Sequence, residues 1–323
     1  MEQIYDDIYK IIVPLPENPL KNLNCYLILG ERNLLIDSGF NCRECYEKLT
    51  SELNTLDIDM DRTDLFITHG HGDHYGLTAK LKRKWNTVFC SRIDGGIINS
   101  SISDNYWNNL DDLFTQYGFA RVNKDRNVNY HPGKEYNTDE KIEFNYVDDN
   151  TILNIGKYNF KCIETPGHSP GHVCLYEKNE KILFSGDHIL QTITPHISIE
   201  QNFLNSLDAY LKSLELIKRL DIEKTFPSHR EDVKDIYQRS NELIIHHKNR
   251  LAEILNIMGN RTLNAYEVAE EMAWDTVEKS WKDFPIEQKW FAMGESIAHL
   301  VHLYNNGSLH IDNRDNIYYF TKF

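Results

Sequence analysis

The hydrophobic positions of this 323-residue chain fall into short blocks, most of them closed by turn residues. Residues 9–14, 23–29 and 33–36 are apolar or alternating runs of strand length, and Gly30-Glu31-Arg32 between the last two predicts a tight hairpin. Residues 42–56 predict a helix, 64–67 a strand, 77–84 a helix and 87–90 another strand. Lys80, Lys82, Arg83 and Lys84 gather near the end of the second helix, where cations complement the helix dipole. Residues 147–163 return to strand-like alternation with a turn at 154–157, and 181–184 and 224–226 are further short apolar runs. Strands alternating with helices predict a layered α/β architecture.

Two stretches depart from this rhythm. Residues 95–138 carry Tyr106, Trp107, Leu110, Leu113, Phe114, Tyr117 and Phe119 at helical spacing, which predicts a helical insertion serving either packing or a lid over a site. From residue 237 onward, 241–259, 265–272 and 288–304 predict helices, the second with Thr262 or Asn264 as N-cap. Residues 309–311 and 317–321 predict a terminal hairpin.

The residues that close the blocks carry the chemistry. The run 65–67 ends in Thr68-His69-Gly70-His71-Gly72-Asp73-His74-Tyr75-Gly76, and its glycines are expected to break any helix. Three imidazoles and a carboxylate are thus projected from one strand end and the turn after it. Neutral imidazole suits zinc, iron or copper, and a neighbouring carboxylate can hold a second cation. Similar endings follow at Pro166-Gly167-His168-Ser169-Pro170-Gly171-His172, at Ser185-Gly186-Asp187-His188 and at Pro227-Ser228-His229. Asp37 closes the run 33–36 as either a turn residue or a support for such a cluster, and His196 follows in Thr194-Pro195-His196.

Composition narrows the class. With 49 acidic against 35 basic residues the formal charge is −14, which disfavours a general polyanion binder. The acidic N-terminus lacks the basic and apolar regions of a signal peptide, and no run approaches the ~20 apolar residues of a membrane span. Six scattered cysteines fit a reducing cytoplasm. Cys42-x-x-Cys45 is the one close pair, read as two separate helical thiols or as a redox pair.

The motifs together resemble those of metallo-β-lactamase-fold hydrolases, the superfamily that includes glyoxalase II. His69 to His74 match its H-x-H-x-D-H signature, and His168, Asp187 and His229 match its later ligands in order. The resemblance covers residues 1–235 and implies a four-layer αβ/βα sandwich. It implies a first metal on His69, His71 and His168, a second on Asp73, His74 and His229, and Asp187 bridging them. Asp73 would also act in catalysis, and Asp37, His188 and His196 become candidates for supporting the ligands or meeting substrate. The implied cofactors are two divalent ions, zinc by donor type, with iron or manganese tolerated. Residues 236–323, through the stretch from Arg261, resemble a winged-helix domain associated with this fold. That segment holds 9 Lys+Arg against 12 Asp+Glu, a balance of −3, which favours packing, pocket closure or a homodimer over nucleic acid.

The expected activity is hydrolysis of a small ester, thioester or lactone by a metal-bridging hydroxide. A metal-dependent ribonuclease is the phosphodiester alternative. A one-iron persulfide dioxygenase is the redox alternative, and a metal-stabilised DNA-binding sensor the non-enzymatic one. The flavodiiron relatives usually carry Glu where His71 stands, and a flavin domain follows; both features are missing here.

Overall fold

The structure is a computed structural model that describes residues 1–119, 133–275 and 280–323. Among these, one sheet takes its strands in chain order: β1 (Glu2–Tyr5), β2 (Ile8–Pro14), β3 (Asn22–Ile28), β4 (Asn33–Ile36), β5 (Thr63–Phe66), β6 (Val88–Ser91) and β7 (Asn145–Val147). Pairing is antiparallel from β1 to β4 and parallel from β4 to β7. The second sheet holds β8 (Ile152–Ile155), β9 (Tyr158–Glu164), β10 (Val173–Glu177), β11 (Ile182–Gly186) and β12 (Lys224–Pro227), with only β11–β12 parallel. Helices α1 (Arg43–Asn54), α2 (Gly72–Tyr75), α3 (Thr78–Leu81) and α4 (Arg92–Ser100) fall between strands of the first sheet in the chain, α5 (Asp104–Gln116) follows α4, and α6 (Ser206–Ile217) lies between β11 and β12.

Three apolar clusters make the layers. Ile28, Ile36 and Phe66 of the first sheet meet Phe160, Leu175 and Phe184 of the second, and the Tyr26 ring lies 4.9 Å from that of Phe184. On the outer face of the first sheet, Ile11, Val13, Leu35 and Leu65 pack with Cys45, Leu49 and Leu53 of α1. On the outer face of the second, Cys174, Tyr176 and Leu183 pack with Leu207, Tyr210 and Leu214 of α6. Helix, sheet, sheet and helix therefore stack in four layers, each fully buried large apolar side chain contributing about 1.5–3 kcal/mol. All four residues of β5 are buried: Leu65 and Phe66 enter the two apolar clusters on either side of the sheet, while Thr63 and Asp64 are buried polar residues, Asp64 paired with Arg32.

The chain ends in α7 (Ile236–Met258), β13 (Thr262–Leu263), α8 (Ala265–Glu271), α9 (Ile286–Asn305), β14 (Leu309–Arg314) and β15 (Ile317–Lys322), the strands pairing in the order β13-β15-β14. Asn264 and Glu267 form a reciprocal capping box at the start of α8. Phe114 of α5 stacks on Trp290 of α9 at 4.6 Å, and the Ala265 N–H donates to the Tyr117 carbonyl. The buried cluster beneath α6 continues without a break into α7, α8 and α9.

Several sequence expectations are corrected. The glycines after His69 do not break helical structure: Gly72 opens α2, and the expected helix 77–84 shrinks to α3. Gly76 lies against backbone there, for a Cβ would fall 2.4 Å from the Asn41 nitrogen. Helix α7 begins at Ile236 rather than 241, because Asp235 caps it by accepting from the N–H groups of Tyr237 and Gln238. Strands β1 and β10 and helix α6 had no counterpart in the sequence reading. Of the expected lid at 95–138, residues 120–132 lie outside the described residues. In its described part, α5 buries Trp107, Leu110 and Phe114 and braces the C-terminal helices. No helix among the described residues is long and apolar enough to cross a membrane.

Candidate metal centre

The loops leaving β5, β9, β11 and β12 converge on one point. They bring together three overlapping groups, His69/His71/His168, His69/His74/Asp187 and Asp73/His74/His229, each with its donor atoms within 4.8 Å of one another. His69 Nε2 lies 3.0 Å from His71 Nδ1 and 3.2 Å from His168 Nε2. Asp187 reaches toward both triads: its Oδ2 is 3.6 Å from both His168 Nε2 and His74 Nε2, and its Oδ1 is 3.5 Å from His229 Nε2. Asp73 Oδ2 stands 3.3 Å from His229 Nε2 and 3.6 Å from His74 Nε2. The seven residues expected as ligands are thus all in one cluster.

Hydrogen bonds to the far ring nitrogens set how three of the imidazoles face. His74 Nδ1–H donates to Asp37 Oδ2 at 2.7 Å, His168 Nδ1–H to the His196 carbonyl at 2.8 Å, and His229 Nδ1–H to the Asn22 carbonyl at 2.8 Å. Each bond turns Nε2 into the cluster, where it offers a lone pair whenever the ring is neutral. Asp37 is itself held. It takes a left-handed φ of 58° at the end of β4 and accepts from the Thr68 backbone N–H, the Thr68 hydroxyl and Ser228 Oγ. A strained non-glycine residue that over-determines one ligand is a pattern of functional sites.

The electrostatics of the two triads differ. Burial and neighbouring imidazoles hold His69 well below its ordinary value, while burial lowers His71 to about 3 and His168 to about 4. In the other triad burial again opposes the charge, but Asp73, Asp37 and Asp187 outweigh it at His74 and raise its pKa. Burial likewise opposes charge on His229, and Asp187 and Asp73 raise it to about 10. One triad is a nest of neutral imidazoles; the other is an anionic pocket that attracts positive charge. His74 Nε2, His229 Nε2 and Asp187 Oδ1 are buried without a hydrogen-bond partner. Buried polar atoms of this kind are costly without a partner; a divalent cation would displace the protons that the carboxylates favour on these rings and take Nε2 of both, with the carboxylate oxygen, as ligands, so the donor set fits divalent metal ions.

Two of the outlying candidates behave differently from expectation. His188 is fully buried, its ring 5.2 Å from that of Tyr210 and 6.1 Å from that of His172, so it packs in the core beside His172. The cause is α6, whose Tyr210 hydroxyl donates to the His188 carbonyl and draws that turn inward. The His196 side chain also turns away from the cluster, donating from Nε2 to the Phe291 carbonyl of α9 at 2.9 Å. Its backbone carbonyl, not its ring, meets His168. Gly294 permits the approach of α9, since a Cβ there would lie 3.3 Å from His196 Cε1 and 2.3 Å from Ser198 Oγ.

Sequence reasoning missed Asp94. This fully buried carboxylate accepts from the Gly70 N–H at 2.9 Å, the Gly171 N–H at 2.7 Å and Ser169 Oγ at 2.5 Å, tying the loop of His69 and His71 to the loop of His168. Its one visible signal was Ser91-x-x-Asp94, where Ser91 caps α4 by accepting from the Asp94 N–H. That pattern marks a helix start and says nothing of where the carboxylate points. His172 is a second strut, its Nδ1 paired with Thr165 Oγ1 at 2.8 Å and its Nε2 accepting from the Asp187 N–H at 3.2 Å.

The chain is similar to known proteins along most of its length. Residues 19–229 match the description Metallo-beta-lactamase superfamily, and residues 251–323 match Metallo-beta-lactamase-like, C-terminal domain. A beta-lactamase-like protein 2 homolog of Caenorhabditis elegans is 28% identical, covering 80% of this chain and 73% of its own length. A hydroxyacylglutathione hydrolase of Haemophilus influenzae is 27% identical over 52% of this chain and 67% of its own length. A metallo-beta-lactamase family protein from Thermus thermophilus superposes with a TM-score of 0.84 at 23% identity, covering 99% of this chain and 100% of that one. With the sandwich, the seven-residue cluster and the match to residues 19–229 in agreement, the chain belongs to the metallo-β-lactamase superfamily.

Proposed function

We propose that the protein is a two-metal hydrolase acting on a small ester, thioester or lactone. The observation that carries this reading is the pair of facing triads, with Asp187 within reach of both. His69, His71 and His168 would hold one ion, Asp73, His74 and His229 the other, with Asp187 between them. The bound ions would supply an acidified water and a Lewis acid for the scissile carbonyl. The protein's own part is positional. Asp37, Asn22 and His196 keep three Nε2 lone pairs aimed inward, and Asp73 would accept a hydrogen bond from the attacking water. Zinc fits these donors best; iron and manganese remain compatible with them.

We assign the substrate to a cleft of about 820 Å³ between α4, α5 and residues 200–203; it is lined by none of the seven cluster residues and adjoins them in the chain at Pro170, in the loop of His168. A relative named for hydrolysing hydroxyacylglutathione, a thioester, supports the acyl class. The order α7-β13-α8-α9-β14-β15 supports a winged-helix reading of residues 236–323. We assign that unit to packing rather than nucleic acid, because its charge balance is −3 and its apolar residues join the catalytic core. All six cysteines are free thiols, which supports a cytoplasmic location.

The test is a substrate panel on metal-depleted protein reloaded with zinc, iron(II) or manganese(II). Turnover of at least one ester, thioester or lactone is expected. Cleavage of RNA alone, or oxygen consumption with a single iron, would replace this reading.

A further inference from the structure

We infer that Cys42 and Cys45 form a redox-active dithiol, a site of reversible thiol–disulfide exchange separate from the metal cluster. Their sulfurs lie 3.2 Å apart, so a bond between them needs only a small approach. Cys42 is the N-cap of α1, in an extended conformation at φ −132° and ψ 166°, and Cys45 sits one turn inside the helix. Of the six cysteines, Cys42 alone is partly exposed; Cys25, Cys45, Cys90, Cys162 and Cys174 are buried. The pair therefore combines a half-buried cysteine at the positive end of a twelve-residue helix with a buried one behind it. Cys45 is held in place by its Sγ–H, which donates to the Pro14 carbonyl at 3.0 Å. Gly39 closes over it: a Cβ at that position would stand 3.2 Å from Cys45 Cβ. Burial pushes the Cys45 thiol up, which suits a group that stays protonated until a mixed disulfide forms beside it.

The exchange needs an external disulfide as oxidant, of the class RSSR. The Cys42 thiolate attacks one sulfur of RSSR, forming Cys42–S–S–R and releasing RS⁻, which takes up the proton Cys42 lost. Cys45 then gives up its proton and attacks Cys42 Sγ, forming the Cys42–Cys45 disulfide and releasing the second RSH. Two thiols are oxidised, one RSSR is reduced, and both protons leave on the two RSH molecules. Two features separate this pair from thiols that merely fill a core: the sulfurs touch, and Cys42 is the one cysteine that is not fully buried.

The experiment is thiol counting and intact-mass measurement on the full-length, metal-loaded protein in mixtures of reduced and oxidised glutathione. The wild type is expected to lose two of its six free thiols, shed two hydrogens in mass, retain no glutathione and recover fully on reduction. Cys45→Ser is expected to retain one glutathione at position 42, and Cys42→Ser to show neither change. Wild-type protein that keeps all six thiols, or that holds glutathione on Cys42 while Cys45 stays free, would overturn the inference. The wild-type result decides the matter even if a variant folds poorly.

Discussion

The two metal triads are built from similar residues and supported in different ways. Asp73, His74 and His229 are braced wholly from within the sandwich. Asp37 fixes His74 from the end of β4, and the Asn22 carbonyl fixes His229 from the start of β3. His69, His71 and His168 are braced through loops. Asp94 ties those loops together, and the His196 carbonyl fixes His168. His196 is in turn anchored to α9 in the C-terminal segment. The first arrangement is local and anionic, the second longer-ranged and neutral. Two ions in one cluster can therefore be held with separable strengths, and among the described residues the C-terminal segment supports His168 through His196.

Four predictions test that separation. Asp187→Asn and His69→Ala should each lower bound metal and abolish hydrolysis, since Asp187 faces both triads and His69 joins two of the donor groups; metal content and turnover on the same preparation check this. Asp37→Ala should weaken the ion at His74 by about 10–100-fold, the usual cost of losing a ligand's hydrogen-bond partner, and the ion at His69 less, because Asp37 reaches His69 only through the Thr68 hydroxyl; stepwise metal titration would resolve the two. His196→Ala should act on the other ion, by roughly 10-fold at the low end of that range, because the carbonyl survives while its anchor to Phe291 is lost. Equal weakening of both ions in these variants would erase the distinction between the triads.

The smallest expected effect lies in the cleft. Glu200, desolvated there beside Tyr106, is raised to about 7. A carboxyl whose folded pKa exceeds its unfolded value holds its proton more tightly when folded. Stability should then fall as pH rises from about 4.5 to 7 and level off above. Glu200→Gln should remove that slope and gain about 1–3 kcal/mol at pH 8, with no gain at pH 4, as denaturant unfolding would show.

The sandwich and its ligands were legible because the chain places ligands just past short apolar runs. His69, His71, Asp73 and His74 are contiguous, so one strand end reveals most of the donor set. His168, Asp187 and His229 follow the same rule at three other strand ends. What supports them was not legible for physical reasons. The acceptor for His229 is a backbone carbonyl, which any residue supplies. Asp94 looks like an ordinary helix-start residue until the loops fold over it. His196 is a histidine near the ligands in sequence, yet the packing of α9 decides that its ring points away. Helix α6 was legible in principle, since Leu207, Tyr210, Leu214 and Ile217 recur at helical spacing and are all buried, yet it is absent from the predicted elements.

The central claim is that the cluster holds two ions per chain. Elemental analysis of protein purified without added metal, and again after reconstitution and removal of unbound ions, measures this directly. The account predicts saturation at two divalent ions per chain, with Asp37→Ala reducing the count toward one at limiting metal. Saturation at one ion in the wild type, or full two-ion occupancy retained in Asp187→Asn, would contradict it.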